Sequence, residues 1–214
     1  DAKDAVPKLV AGMRTDALGK RRQHNGLFVQ DDQHRYRSAY ALSQIGQEAI
    51  PQLLEALKSD DMSTRSGAAK ALGWMGAMAQ GAVPDLIKAL SDAEAEVREQ
   101  VSDALSQIGD QAIGALEEVL DGDSAHARAG AAMALGKIGL KAKITTEKLL
   151  NAAQDKDGSV RRAAITALGQ LDIEPDQLLP VVIKGIADKE PSLRQASVAA
   201  LITNQSAAKH AIPS

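Results

Sequence analysis

The amino-acid sequence predicts an all-α protein, an α-solenoid of about six two-helix repeats. Two observations support this fold class: one segment recurs six times along the 214 residues, and its apolar positions follow a helical period. Composition is a third, because aromatic residues make up only 2% and a compact globular core would lack its usual bulky side chains. Ala and Leu recur throughout instead, and both favour helices.

The recurrent segment forms the second helix of each predicted repeat, called helix B here. Each copy carries an arginine at its second position and an Ala-Leu pair six and seven residues after that arginine. The six arginines, spaced 30 or 33 residues apart, are Arg35, Arg65, Arg98, Arg128, Arg161 and Arg194. Counting from the arginine, residues at +3, +4, +7 and +10 are small or apolar and predict the buried stripe of an amphipathic helix. The alanine at +6 is expected to let the next helix approach closely.

The ends of helix B are also marked. Five of the six copies have Asp or Glu four residues before the arginine, and the sixth has Ser124, which suits capping at the positive end of the helix dipole. Gly46, Gly76, Gly109 and Gly139 fit the left-handed position that ends a helix.

An apolar segment before each copy predicts the first helix of the repeat, helix A. These segments are residues 5–10, 49–57, 82–90, 112–120, 147–153 and 178–187. Pro51, Pro84 and Pro180 each lie 14 residues before their arginine, where the first turn of a helix tolerates proline. One such helix pair cannot bury its apolar face alone, so neighbouring pairs must stack.

The pattern resembles a known repeat family. Asp157, Val160-Arg161, Ala164 and Ala167-Leu168-Gly169 match the signature D-x-x-V-R-x-x-A-x-x-A-L-G, which is similar to the short HEAT-like repeats of phycobilisome lyases. The resemblance covers essentially the whole chain and implies a right-handed α-solenoid. Residues 1–7 and 208–213 look like entries to further A helices, so we expect residues 1–214 to be a fragment of a longer array. Function follows less directly, because the shared residues are those that stack repeats.

Composition narrows the possible functions. Lys and Arg number 25 against 28 Asp and Glu, with both signs mixed, whereas nucleic-acid binding needs clustered positive charge. The absence of cysteine excludes disulfides and thiolate chemistry. No apolar run approaches the roughly 18 residues that span a membrane, so we expect no membrane insertion.

One face of helix B predicts a binding surface. Residues at +1, +5 and +9 vary freely, and in HEAT-like arrays this side lines the concave surface where partners bind. Tyr36, Tyr40 and Trp74 fall on it in adjacent repeats, three of the four aromatic residues of the chain. Exposed aromatic residues are typical binding anchors, so we predict a partner-binding patch that includes Lys70 and is flanked by Arg37. The alternative is that the rings fill gaps between repeats.

The repeated arginines are predicted to have a structural role instead. An arginine present in every copy is expected to bond between neighbouring repeats, because its planar guanidinium suits such bridges. The expected partners are the aspartates six residues before an arginine, Asp92, Asp155 and Asp188.

An inserted segment distinguishes the first repeat. Pro7 and Arg35 lie 28 residues apart, twice the usual 14, and the extra length defines an extended loop at residues 14–30. The loop is locally basic, contains an Asn-Gly turn signal and holds the only phenylalanine, Phe28, which we add to the predicted partner-binding residues. A tolerated insertion without function is the alternative.

Catalysis is not predicted. The histidines are not followed by Glu as in HEAT-like di-iron hydroxylases, and no phosphate-binding loop or nucleophile elbow occurs. A metal site from His24, Asp31, Asp32 and His34 lacks ligand spacing on a helix, so no metal and no cofactor are expected. The prediction is therefore a non-catalytic scaffold that binds another protein or peptide. Two alternatives remain from the resemblance, a phycobilin lyase or isomerase subunit and a nucleic-acid-binding protein, although Glu99 and Asp103 would interrupt a basic groove.

Overall fold

The computed structural model describes residues 2–14, 22–24, 27–29 and 32–204, and side chains within residues 4–14 and 35–204. In these ranges twelve α-helices form six A–B pairs. The A helices are α1 (Ala2–Ala11), α3 (Ile50–Ala56), α5 (Val83–Ala89), α7 (Asp110–Val119), α9 (Thr146–Ala152) and α11 (Pro175–Ile186). The B helices are α2 (Asp32–Ile45), α4 (Met62–Met75), α6 (Ala95–Ile108), α8 (Ala125–Ile138), α10 (Gly158–Gln170) and α12 (Pro191–Thr203). Short 3-10 turns, Gly46–Ala49, Gly76–Ala82 and Gly139–Thr145, precede α3, α5 and α9.

The chain divides into two compact units. The first, Asp1–Ile108, contains α1 to α6, and the second, Gly109–Ser214, contains α7 to α12. Within each unit the B helices pack on one another in sequence order. The predicted all-α repeat architecture is confirmed.

The core consists of the small and aliphatic residues that the repeat pattern marks. The +7 leucines Leu42, Leu72, Leu105, Leu135 and Leu168 are fully buried. Three of the +6 alanines touch a glycine at +8 of the preceding B helix. A Cβ added at Gly73 would lie 2.9 Å from the Cα of Ala104, one at Gly136 2.8 Å from that of Ala167, and one at Gly169 2.7 Å from that of Ala200. At these three contacts the close approach of the helices needs glycine on one helix as well as alanine on the other.

The helix ends follow the predicted chemistry with one difference. Asp61, Ser124 and Asp157 cap α4, α8 and α10, each accepting a backbone N–H of the first turn. The glycines that end the B helices have positive φ as expected, but ψ is −135° at Gly76, −134° at Gly109 and −143° at Gly139. These ψ values lie outside the left-handed helical region, in a part of φ/ψ space that is open mainly to glycine.

The prolines of the A helices occupy two different positions. Pro51 and Pro84 lie in the first turn of α3 and α5, as predicted. Pro180 was expected in the same place, but α11 begins at Pro175 and Pro180 lies inside it. The reason is that Pro175 starts this helix directly, without the 3-10 turn that precedes α3 and α5.

Three arginines bridge neighbouring repeats, as predicted, but the pairing differs from the prediction. Each aspartate carboxylate accepts from the arginine 27 residues before it, not from the arginine six residues after it. Arg98, the arginine six residues after Asp92, donates to the backbone carbonyl of that residue instead. Nε and Nη2 of Arg65 donate to the two carboxylate oxygens of Asp92 at 2.7 and 2.9 Å. The same fork joins Arg128 to Asp155, and Arg161 donates to Asp188 at 3.3 Å. Nη1 of Arg65 also donates to the carbonyls of residues 59 and 60, in the turn that leads into its own helix. Each such guanidinium thus joins two interhelical turns.

The inserted segment of the first repeat contains a short β-hairpin. Strands β1 (Arg22–His24) and β2 (Leu27–Val29) pair antiparallel, with Gln23 opposite Phe28. The sequence had predicted an extended loop with an Asn-Gly turn signal, and strand pairing on both sides of that signal is what such a turn favours. The Asn-Gly pair itself, and residues 15–21, 30 and 31, lie outside the described residues.

Candidate functional site

Four of the predicted site residues meet on α2 and α4, and we call them the aromatic patch: Tyr36, Tyr40, Lys70 and Trp74. The rings of Tyr40 and Trp74 contact edge to face, with centroids 6.0 Å apart and an interplanar angle of 76°. The ammonium of Lys70 lies 4.0 Å from the ring centroid of Tyr36 and 5.5 Å from that of Trp74. Tyr40 is 57% exposed and Trp74 40% exposed, so the rings present apolar area to solvent.

The patch lies on the face of helix B that the sequence predicted to face solvent. At +9, where α4 has Trp74, the other described repeats carry exposed polar side chains such as Gln107 and Lys137. One position departs from the prediction: Ser66, at +1 of α4, is buried. Its hydroxyl donates to Glu96 at 3.1 Å, and this contact takes it out of the exposed face.

Arg35 supports the patch, a role that the sequence analysis missed. Its Nη1 forms a 2.7 Å ion pair with Glu96, so a side chain of the first repeat reaches α6 of the third. Its guanidinium carbon lies 5.1 Å from the ring centroid of Tyr36, and its Nη2 donates to the Tyr36 hydroxyl at 3.4 Å. Tyr36 is therefore contacted by two cations, Arg35 and Lys70, and Arg35 is itself neutralised by Glu96.

A sequence signal for this exception existed. The arginines of the ladder have an aspartate 27 residues later, but Met62 stands at that place after Arg35. Arg35 passes Gly67 on α4 at ordinary contact distance, since a Cβ added at Gly67 would lie 3.4 Å from Cγ of Arg35. The same Cβ would lie 2.7 Å from Sδ of the buried Met13, so the missing side chain makes room for Met13.

Carboxylates of the ladder have shifted pKa values. Burial alone would raise the pKa of Asp92, but hydrogen bonds from the Arg65 guanidinium and the Glu94 backbone N–H outweigh it and hold that pKa below its ordinary value. The pKa of Asp155 is lowered in the same way, against burial, by Arg128 and the Asp157 backbone N–H. Perturbed carboxylates often mark active sites, but these two are structural bridges between repeats.

Two further residues, Arg37 and Phe28, were predicted to belong to the site. Arg37 is exposed on α2, the helix that carries Tyr36 and Tyr40. Phe28 belongs to β2, and its side chain lies outside the described part. The same holds for the possible ligands His24, Asp32 and His34, and Asp31 is outside the description altogether.

Within the described residues, no group of three or more His, Cys, Asp or Glu side chains is arranged to hold a metal ion. None of the described helices combines the length and the apolar character that crossing a bilayer requires.

A second surface feature is a groove of about 560 Å³ between α1 and α3. Pro7, Val10, Pro51 and Ala56 form its apolar floor, and Glu55 is among the few charged side chains that line it. The groove belongs to the A helices, and none of the predicted site residues lines it.

Comparison with known proteins places the chain in a family. The sequence pattern described as HEAT repeats matches residues 28–83, 83–146 and 146–212. No curated protein sequence matches the chain significantly.

Solved structures of repeat proteins resemble the fold. YIBA_ECOLI, from Escherichia coli, has a TM-score of 0.58 and 23% identity, over 87% of this chain and 65% of that one. The archaeal HEAT-like repeats protein from Thermococcus onnurineus NA1 has a TM-score of 0.52 and 14% identity, over 95% and 80% of the two chains. A phycocyanin lyase complex of CpcE and CpcF from Nostoc sp. PCC7120 has a TM-score of 0.49 and 22% identity, over 92% and 98%.

The HEAT-repeat pattern matches residues 28–212, and the stacked A–B pairs and the arginine ladder agree with that match. The protein therefore belongs to the HEAT-repeat family.

Proposed function

We propose that the protein is a non-catalytic binding scaffold that holds a partner protein or peptide against its aromatic patch. The observation that carries the proposal is the exposure of Tyr40 and Trp74 on a face where the other repeats, apart from the half-buried Met133, carry polar or small side chains. The two rings touch each other and so form one continuous apolar surface. Tyrosine and tryptophan are enriched among the residues that dominate binding energy at interfaces.

The patch is also ordered before any partner arrives. Tyr36 is held by Arg35 and Lys70, and Arg35 is anchored by Glu96 on α6. Side chains that are already positioned lose less conformational entropy on binding, which favours affinity. The side chains that position Tyr36 come from three consecutive B helices, α2, α4 and α6, and they stabilise the exposed face that carries the aromatic patch.

The non-catalytic part of the proposal rests on the sequence. It contains no cysteine and no recognised nucleophile or phosphate-binding motif. The three aspartates of the arginine ladder, Asp92, Asp155 and Asp188, all have a lowered pKa and are engaged by arginines between repeats.

The test is capture of binding partners by the wild type and by two variants. Trp74→Ala should weaken the captured partner's binding by on the order of 2 kcal/mol, a typical effect at an interface hot spot. Thr166→Ala is the matched control, because Thr166 is exposed on α10 and its hydroxyl bonds only to the Arg162 carbonyl of its own helix. A partner that binds the wild type and Trp74→Ala with equal affinity would show that the patch is not its site.

A further inference from the structure

The charges at the aromatic patch indicate what kind of partner fits it. Lys70 is half-buried against Tyr36 and Trp74, and it forms no ion pair with any described carboxylate. Arg35, by contrast, is neutralised by Glu96, and the ladder arginines by their aspartates. Lys70 is therefore a cation held by ring faces alone.

An ammonium in this position has unused hydrogen-bonding capacity. It carries three N–H donors, and a ring face satisfies it only through the weak attraction of the π system. The neighbouring rings exclude part of its water, so a carboxylate that reached it would form a charge-assisted bond stronger than one on open surface.

The surrounding charges favour the same partner. Arg37, on the helix that carries Tyr36 and Tyr40, is exposed and adds a second positive charge to the α2 side of the patch. Glu99 and Asp103 lie on α6, and neither forms an ion pair with Lys70. A basic segment would have to displace Lys70 from the rings or approach it against repulsion, whereas an acidic segment is attracted to Lys70 and Arg37 and has only to keep clear of Glu99 on α6.

We propose that the aromatic patch binds an acidic segment of the partner, with an Asp or Glu carboxylate bonded to Lys70 and a neighbouring apolar side chain packed on Tyr40 and Trp74. This inference rests on the proposed function, because it specifies the chemistry of a partner at the same surface. Lys70 then selects for a negatively charged partner, and the rings of Tyr40 and Trp74 contribute affinity that does not depend on the partner's charge.

The test uses an array of immobilised random twelve-residue peptides probed with the full chain. Four proteins are compared: wild type, Lys70→Gln, Trp74→Ala and the control Lys88→Gln. Lys88 is exposed on α5 of the same unit, where it pairs with Asp85 at 3.5 Å, so its variant removes one positive charge away from the patch. Unchanged far-ultraviolet circular dichroism verifies that each variant is folded.

Wild type and Lys88→Gln should retain peptides enriched in Asp and Glu next to apolar residues. Lys70→Gln should bind those peptides about tenfold more weakly, which corresponds to about 1.4 kcal/mol. Enrichment of Lys and Arg, or acidic peptides that bind wild type and Lys70→Gln alike, would overturn the inference. If the retained peptides still depend on Trp74 in that case, the proposed function survives, and if no peptide depends on Trp74, both fail.

Discussion

Adding a methyl group at Gly169 should destabilise the protein, although alanine is the better helix former. A Cβ at Gly169 would lie 2.7 Å from the Cα of Ala200, 2.9 Å from its Cβ and 3.0 Å from its carbonyl oxygen. The shortest of these is about 0.7 Å below the 3.4 Å at which ordinary contact begins, and its partner is backbone. Helices α10 and α12 must therefore move apart, and a gap of roughly 0.5–1 Å forfeits a quarter to a half of the dispersion attraction across it.

The magnitude follows from two opposing effects. Overpacking of this kind costs about 1–3 kcal/mol. Replacing glycine by alanine inside a helix stabilises the protein by roughly 0.5–1 kcal/mol. Because Gly169 lies near the end of α10, this stabilisation is at most that large there. Gly114 is the matched control, because it lies inside α7 and nothing stands within 4 Å of an added Cβ. Gly114→Ala should thus stabilise the protein, and the two variants should differ by about 1–3 kcal/mol.

Urea unfolding followed by circular dichroism measures both variants against the wild type. The difference between the two alanine variants isolates the contact with Ala200, because the chemical change is the same in both. If Gly169→Ala were as stabilising as Gly114→Ala, the close approach of α10 and α12 would contribute nothing to stability, and the packing argument would be wrong.

Three further predictions concern an ion pair, the tryptophan and a helix end. Because the pKa of Asp92 is held below its ordinary value of 3.8, the stability contributed by its bond to Arg65 is complete above that pH and is lost as the pH falls below it. The stability difference between wild type and Asp92→Asn, measured by urea unfolding, should therefore shrink below pH 3.8, and a constant difference would contradict the assignment. Trp74, the only tryptophan, should fluoresce to the red of a buried indole and be quenched by iodide, whereas a blue-shifted, unquenched emission would place the ring between repeats. Gly76→Ala should lower the stability by about 1–3 kcal/mol in thermal unfolding, because φ is 55° and ψ is −135° there, and an unchanged melting temperature would argue against backbone strain.

Much of the candidate site could be predicted from the sequence, because position within a repeat determines the side of a helix. Tyr36, Tyr40, Lys70 and Trp74 were placed on one face by counting from the arginines, and the structure brings all four together. Ser66 was assigned to the same face and is buried. Its position in the repeat is the same as that of Tyr36, so only its neighbour Glu96 distinguishes it.

The sequence by itself determined the repeat, the helix pairs, the caps at Asp61, Ser124 and Asp157, and the aspartates of the ladder. These features are local or recur at a fixed spacing, so one chain pattern is enough to define them. The tertiary structure alone decided that Arg35 leaves the ladder and pairs with Glu96 two repeats away. An arginine side chain is long and flexible, so its partner depends on which acids lie within reach once the helices are packed. The sequence period describes one helix at a time, whereas the contact between Arg35 and Glu96 depends on how α2, α4 and α6 are positioned relative to one another.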